Sequence, residues 1–262
     1  MRIVSWNVNS VRLRLNGVVR LTEETAPDVL CLQEIKVADE LFPHDDLADL
    51  GYEHRAIYGQ KGYHGVAILS RLPFDRPTRR EWWGKAESRH LSIRLLGNIV
   101  LHNFYIPAGG DIPDTEKNPK FAHKLGFLDE VSTWFRDTRQ PARQILLGDL
   151  NIAPLKTDVW SHKQLLRTIS HTPVEIERLD ALGASRKWVD AVRRFVPPEE
   201  KLYSWWSYRA RDWEAADRGR RLDHIWVSPK LAPALTDGYI LRRVRGWPRP
   251  SDHAPVIVDL DP

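Results

Sequence analysis

Gln144-Ile145-Leu146-Leu147-Gly148-Asp149-Leu150-Asn151 reads as an apolar strand that stops in a carboxylate and a carboxamide, and the rest of the chain is read outward from that ending. Successive side chains of a strand point to opposite faces, so Ile145, Leu147, Asp149 and Asn151 share one side if the strand persists. Two residues of strand advance roughly 6 to 7 Å, a span from which both polar groups reach one phosphate and its attacking water. Gly148 leaves room for a closely approaching ligand or for a bulge. Alone, the ending is also ordinary loop chemistry, because Asp and Asn satisfy backbone groups after a buried strand.

Other apolar runs end in the same way. Period-two alternation recurs in residues 3–9, 28–34, 65–70, 90–95, 99–107, 221–228 and 254–260. Asn7, Glu34, Tyr105, Asp149 with Asn151, and Asp223 each fall at or near the downstream end of a run, which predicts one polar rim. Helical spacing is confined to a few stretches. Phe121, Leu125, Leu128, Val131 and Phe135 form one helical face between Pro119 and Pro141, and residues 174–182 and 16–25 give two more helices. Helices inserted between groups of strands predict an α+β or mixed sandwich rather than a doubly wound parallel sheet. Strand runs with polar ends extend from residue 3 to residue 259 without a linker or a repeat, which predicts a single domain over residues 1–262.

Composition narrows the class. The 262 residues are 42% hydrophobic and 28% charged, as in an ordinary globular chain. Cys31, the single cysteine, excludes an internal disulfide and sits in an apolar run as a small core residue. The start carries no signal-peptide pattern and no run reaches bilayer length, so a cytoplasmic protein with no membrane partner is expected. A glycine-rich phosphate loop and zinc-type Cys/His spacing are both absent. The formal net charge is only +4, but arginines cluster at 76–80, 209–221 and 242–249, which suits a polyanionic partner.

The second polar segment is Ser251-Asp252-His253-Ala254-Pro255. In an extended chain Asp252 and His253 point opposite ways, and a turn opened by Pro250-Ser251 gives them different roles. A protonated His253 donates to a phosphate oxygen, and a carboxylate neighbour, for which Asp223 is the candidate, favours that form. Glu34 and Asn7 supply hard oxygens, and so sparse a set suits Mg²⁺, which keeps several waters. Phosphate-ester cleavage needs these elements: a proton acceptor for water, donors to a phosphoryl oxygen and oxygens for a cation. Trp205, Trp206, Tyr208 and Trp213, interleaved with Arg209 and Arg211, offer stacking faces among phosphate-binding charges, with core packing the competing use of at least one of the paired tryptophans.

Seven motifs now stand in order. Ser5-Trp6-Asn7-Val8-Asn9, Leu32-Gln33-Glu34-Ile35-Lys36, residues 59–67, Tyr105-Ile106-Pro107, Gly148-Asp149-Leu150-Asn151, Arg221-Leu222-Asp223 and Pro250-Ser251-Asp252-His253-Ala254-Pro255 together resemble the exonuclease III family, over essentially the whole chain. The resemblance implies a deoxyribonuclease I-like, four-layer αββα sandwich, two mixed β-sheets face to face with helices outside. It implies a Mg²⁺-dependent DNA repair nuclease, with Mn²⁺ able to substitute, acting as a monomer on double-stranded DNA at abasic sites and 3′ ends. Glu34 becomes the principal metal ligand, with Asn7 and Asp252 nearby. Asp149 orients or deprotonates water, Asn151 binds phosphate and water, His253 supported by Asp223 neutralises the phosphate, and Tyr105 lies beside it. Trp205 and Leu222 fall where the family lines its abasic-sugar pocket, and Arg220 on the same wall departs from an apolar or aromatic position, as Ala108 departs from Asn or Gln. Two other functions share part of the pattern: a phosphodiesterase of lipid headgroups or inositol phosphates, and a nucleic-acid binding module without catalysis.

Overall fold

The chain, described over residues 1–262 in a computed structural model, builds two six-stranded sheets whose inner strands are buried on both faces. The first holds β1 (Arg2–Asn7), β2 (Val29–Gln33), β3 (His54–Tyr58), β4 (Val66–Ser70), β13 (Leu235–Ile240) and β14 (Val256–Leu260), in the order β13-β14-β1-β2-β4-β3. The second holds β5 (Phe74–Arg79), β6 (His90–Leu95), β7 (Ile99–Tyr105), β8 (Gln144–Asp149), β9 (Val189–Asp190) and β12 (Asp223–Val227), in the order β5-β6-β7-β8-β12-β9. A two-stranded ribbon, β10 (Trp205–Trp206) with β11 (Gly219–Arg220), stands apart. The helices are α1 (Leu15–Thr25), α2 (Pro119–Asp137), α3 (His162–Leu165), α4 (Pro173–Ser185) and α5 (Trp213–Ala216). Both sheets are mixed, because β1 runs parallel to β2 and β7 parallel to β8 among antiparallel neighbours.

The layers follow from which parity each strand turns inward. Ile3, Val29, Cys31 and Ile68 of the first sheet pack against Leu91, Leu101, Ile145, Leu147 and Ile225 of the second in one buried cluster. The opposite parity, Val4, Trp6, Leu30 and Leu32, meets Val18 and Leu21 of α1. Phe104, Leu146 and Trp226 meet Phe127, Leu128 and Phe135 of α2 and Leu179 of α4. Helix, sheet, sheet and helix therefore stack as expected. Cys31 is fully buried in the central cluster, and no helix is long and apolar enough to cross a membrane.

Four strands lack the alternation that marks the others: β3, β5, β9 and β13, the outer strands of the two sheets. β5 is exposed along most of its length and contains Pro77, and β13 carries a register shift between Leu235 and Asp237. Polar composition, proline and irregularity suit edges, which would otherwise template pairing with other chains.

Gly148 does not make room for a ligand. Its φ of +134° and its pairing with Phe104 bring the β7 backbone so close that a Cβ would lie 1.9 Å from the Phe104 carbonyl oxygen. Gly148→Ala is accordingly expected to destabilise the protein by about 2 kcal/mol or more, through a forbidden backbone angle and a steric clash. Urea denaturation measures it; a loss below about 0.5 kcal/mol would show that β7 and β8 yield freely.

Candidate active site

The inward-facing parity turns from apolar to polar at one end of the sandwich. In β1 the sequence Ile3, Ser5, Asn7 makes this change, and in β7 it is Leu101, Asn103, Tyr105. Gln33 of β2 donates across the sheets to Asn103 Oδ1 (2.7 Å) and within its own sheet to Ser5 Oγ (3.1 Å), while Asn103 Nδ2 donates to the Leu32 and Ala67 carbonyls, both at 3.0 Å. Beyond this buried polar belt lies the rim. Tyr105, Asp149 and Asp223 occupy successive positions across β7, β8 and β12, with Tyr105 opposite Asp149 and Asp149 opposite Asp223. Asp223 opens its strand rather than closing it; it reaches the rim because β12 runs antiparallel to β8.

Glu34 follows β2 in a left-handed turn, φ 50°, that carries it into the rim. Its Oε1 accepts from Tyr105 Oη (2.7 Å) and Asn7 Nδ2 (2.9 Å), and its Oε2 lies 2.8 Å from Lys36 Nζ. Burial raises the carboxyl's pKa, but Lys36 and these donors outweigh it and hold the value below the ordinary range. Burial, with the adjoining Glu34 and Asp149, pushes the Tyr105 phenol well up. Asn7 Nδ2 also donates to Asp149 Oδ2 at 2.9 Å, so one amide joins carboxylates from opposite sheets. The Asn9 amide proton on Asn7 Oδ1 (3.0 Å) fixes which end of the Asn7 amide is oxygen. Asn7 thus donates through Nδ2 to two carboxylates, while the oxygen expected to face a metal accepts from the Asn9 amide.

His253 is set from behind. Its Nδ1 is 2.8 Å from Asp223 Oδ2 and its Nε2 is 3.8 Å from Asp149 Oδ2. Ser204 Oγ donates to the same Asp223 oxygen (2.6 Å), the Ser251 hydroxyl accepts from the His253 amide (3.2 Å), and Trp6 Nε1 donates to the His253 carbonyl (3.0 Å). Burial opposes an imidazolium, yet Asp223 and Asp149 prevail and push its pKa up to about 10. For Asp149 burial is the largest influence and His253 opposes it, leaving the carboxyl pushed up to about 7.

The strand does not persist to Asn151. β8 ends at Asp149, Asn151 takes φ 54°, and the expected spacing between the two groups is replaced by direct contact. The Asn151 amide proton reaches Asp149 Oδ1 (2.9 Å), and its Nδ2 donates to Asp149 Oδ2 (3.1 Å) and the Ile106 carbonyl (2.9 Å). Both side-chain hydrogens are thus used, which leaves Asn151 with an acceptor, Oδ1, to offer to the cavity. Below the turn, fully buried Lys124 donates to the Asn151 carbonyl (2.8 Å) and to Glu175 Oε1 (2.5 Å).

A cavity of about 740 Å³ opens over these groups. Glu34, Tyr105, Asp149, Asn151, Asp252 and His253 line one side, and Trp160, Trp205, Arg220 and Leu222 line the other. Donor atoms of Glu34, Asp149 and His253 lie within 4.8 Å of one another. Asp252, expected among the metal ligands, lies outside that group, its oxygens accepting from Asn9 Nδ2 (3.0 Å) and Trp205 Nε1 (2.9 Å).

A sequence model of the Endonuclease/Exonuclease/phosphatase family matches residues 4–253, from the Asn7 motif through His253. The chain belongs to this family. It is 34% identical to exodeoxyribonuclease III of Haemophilus influenzae, the match covering 98% of each chain. Among solved structures, an AP endonuclease from Archaeoglobus fulgidus superposes with a TM-score of 0.92 at 30% identity, covering 100% of both chains. A 3′ phosphatase from Neisseria, bound to a product DNA hairpin, gives 0.91 at 34% identity over 100% of this chain and 99% of that one.

In this family member the eleven residues given catalytic, metal or pocket roles from the sequence line or adjoin one cavity, Asn7 and Asp223 through their bonds to Glu34, Asp149 and His253, whereas Tyr208 and Arg211 of the aromatic and arginine stretch lie outside its lining. Sequence reasoning missed Ser204 and Lys124 and gave Ser251 and Lys36 no role of their own, although all four hold those groups in place. It also missed Gln33 and Asn103, although each breaks the apolar parity of its run. Removing Lys124 leaves Glu175 as an uncompensated buried charge beneath the Asn151 turn. Lys124→Met should therefore cost about 3 to 5 kcal/mol, and Lys124→Met with Glu175→Gln markedly less. Denaturant titration of both variants tests this, equal losses contradicting it.

Proposed function

We propose that this chain is a Mg²⁺-dependent nuclease that hydrolyses DNA phosphodiesters 5′ to abasic sites and at 3′ ends, releasing nucleotides and 3′ blocking groups by in-line attack of water. Phosphodiester hydrolysis in DNA repair is the chemistry of its family relatives, and one observation carries it to these residues. Two carboxylates from opposite sheets, Glu34 and Asp149, meet through Asn7 and face an imidazole clamped by Asp223.

The donor set suits a hard dication. Glu34 and Asp149 offer carboxylate oxygens, the kind and number that Mg²⁺ takes while keeping waters. His253, held at Nδ1 by Asp223 with Asp149 3.8 Å from its Nε2, is suited to phosphate rather than to metal. When bound, Mg²⁺ would be held by Glu34 with Asp149 beside it and would offset charge on the phosphoryl and departing oxygens. Asp149 orients the attacking water and takes its proton, with Asn151 Oδ1 as a second acceptor. His253, as imidazolium, donates to a non-bridging oxygen, and Asp223 and Ser204 keep its ring aimed. Tyr105 holds Glu34 and lies beside the phosphate.

Trp205, Leu222 and Arg220 line the recess that receives the abasic sugar or terminal nucleotide, and Arg218, stacked 4.8 Å over Trp160, adds charge at its mouth. This aromatic and arginine wall favours DNA over a lipid headgroup or inositol phosphate. All these groups come from one chain and one domain, so a monomer suffices.

General base catalysis contributes about 10² to 10⁴ in rate, so Asp149→Asn should raise the barrier by roughly 3 to 5 kcal/mol. EDTA should abolish incision of an abasic duplex and Mg²⁺ restore it. Near wild-type turnover by Asp149→Asn in Mg²⁺, or incision insensitive to EDTA, would overturn these roles. DNA binding unaffected by EDTA and yielding no product would instead mark a binding module.

A further inference from the structure

Arg220 carries a charge that the protein does not balance. Its Nη1 donates to the Ile169 carbonyl (3.1 Å) and the Ser170 hydroxyl (2.8 Å), both neutral, and its buried Nε has no partner. Its guanidinium carbon lies 5.3 Å from the centroid of the Trp205 ring. Glu175, the carboxylate that acts on it most, is already held by Lys124 at 2.5 Å and by the Ser170 amide at 2.9 Å. The neighbouring Arg221, which is buried, shows the contrast. It is gripped by Asp158 at 2.8 Å and Asp190 at 2.6 Å. A guanidinium withdrawn from water without an anion is costly, and burial pulls the Arg220 pKa below its ordinary value.

The backbone fixes where that cation points. His253 pairs with Trp205, and Trp205 with Arg220, in one short antiparallel ladder. Residues directly opposite in such a ladder project from the same face, so all three line the same cavity. Two strand spacings place the Arg220 backbone roughly 10 Å from that of His253. An arginine side chain and a small group attached to the phosphate bridge this gap together.

We propose that Arg220 makes the side recess an anion-reading subsite, selecting 3′ blocking groups that carry a carboxylate over neutral groups of similar size. The inference rests on the nuclease reading above. For a 3′-phosphoglycolate end, water forms the new bond to phosphorus and the bond to the DNA 3′ oxygen breaks. The water's proton passes to Asp149, the 3′ oxygen takes up a proton to become a hydroxyl, and the phosphate departs on the excised fragment. The glycolate carboxylate then meets Nη2, the guanidinium nitrogen that neither Ile169 nor Ser170 occupies.

The test compares kcat/KM for two duplexes in Mg²⁺, one ending in a 3′-phosphoglycolate and one in the neutral 3′-(2-hydroxyethyl) phosphate. Wild type should prefer the carboxylate at least about tenfold, the size of one charge-assisted hydrogen bond. Arg220→Leu should bring the ratio close to one, and Arg220→Lys should keep part of it. The ratio is independent of the fraction of each variant that is folded. A wild-type ratio near one, or an unchanged ratio in Arg220→Leu, would overturn the subsite. Failure of wild type to cleave either ester would overturn the nuclease reading itself, and the inference with it.

Discussion

The site depends on a single amide. Asn7 Nδ2 lies 2.9 Å from Glu34 and 2.9 Å from Asp149, and these carboxylates belong to different sheets. Two neighbouring carboxylates repel when ionised, and a donor shared between them compensates that repulsion while fixing their separation. The amide is itself locked by the Asn9 N–H on its oxygen. Without this bridge the sheets would still pack, since their contact is apolar, but nothing would set the spacing of the carboxylates at the rim.

The sandwich delivers the groups to that bridge through strand direction. The two parallel pairs, β1 with β2 and β7 with β8, end at the same rim, and antiparallel β12 begins there. Apolar inward residues give way first to the Gln33–Asn103 link and then to the reacting groups. Water is excluded behind the site while its mouth stays open, so each carboxylate and the imidazole interact through a medium less polarisable than water. Loops then add what strands cannot: the left-handed turns at Glu34 and Asn151, and the Ser204 and Ser251 hydroxyls behind His253.

Most of this was legible where the signal is local. Apolar runs located the central strands because these bury both faces, and they missed β3, β5, β9 and β13 because edge strands are polar for a physical reason. The chemistry-bearing residues could be named because carboxylates, amides and an imidazole recur at the ends of several apolar runs, in motifs whose order resembles one family, although each ending alone reads as loop chemistry. Their contacts could not be read. Whether Asn151 continues the strand depends on a φ of 54°, which places its hydrogens on Asp149 and Ile106. Whether Asn7 gives a metal its oxygen depends on the Asn9 amide, and Lys124 under Asn151 comes from a helix distant in sequence. Such orientations are set by tertiary neighbours.

The account holds that Asn7 builds one cation site from two carboxylates, and calorimetric titration of Mg²⁺ into the wild-type protein and Asn7→Leu tests it most directly. Loss of a group that orients metal ligands typically weakens binding about 10- to 100-fold. A weakening of that size in a variant that retains its fold is the predicted result. Equal Mg²⁺ affinity in the two proteins would contradict the account.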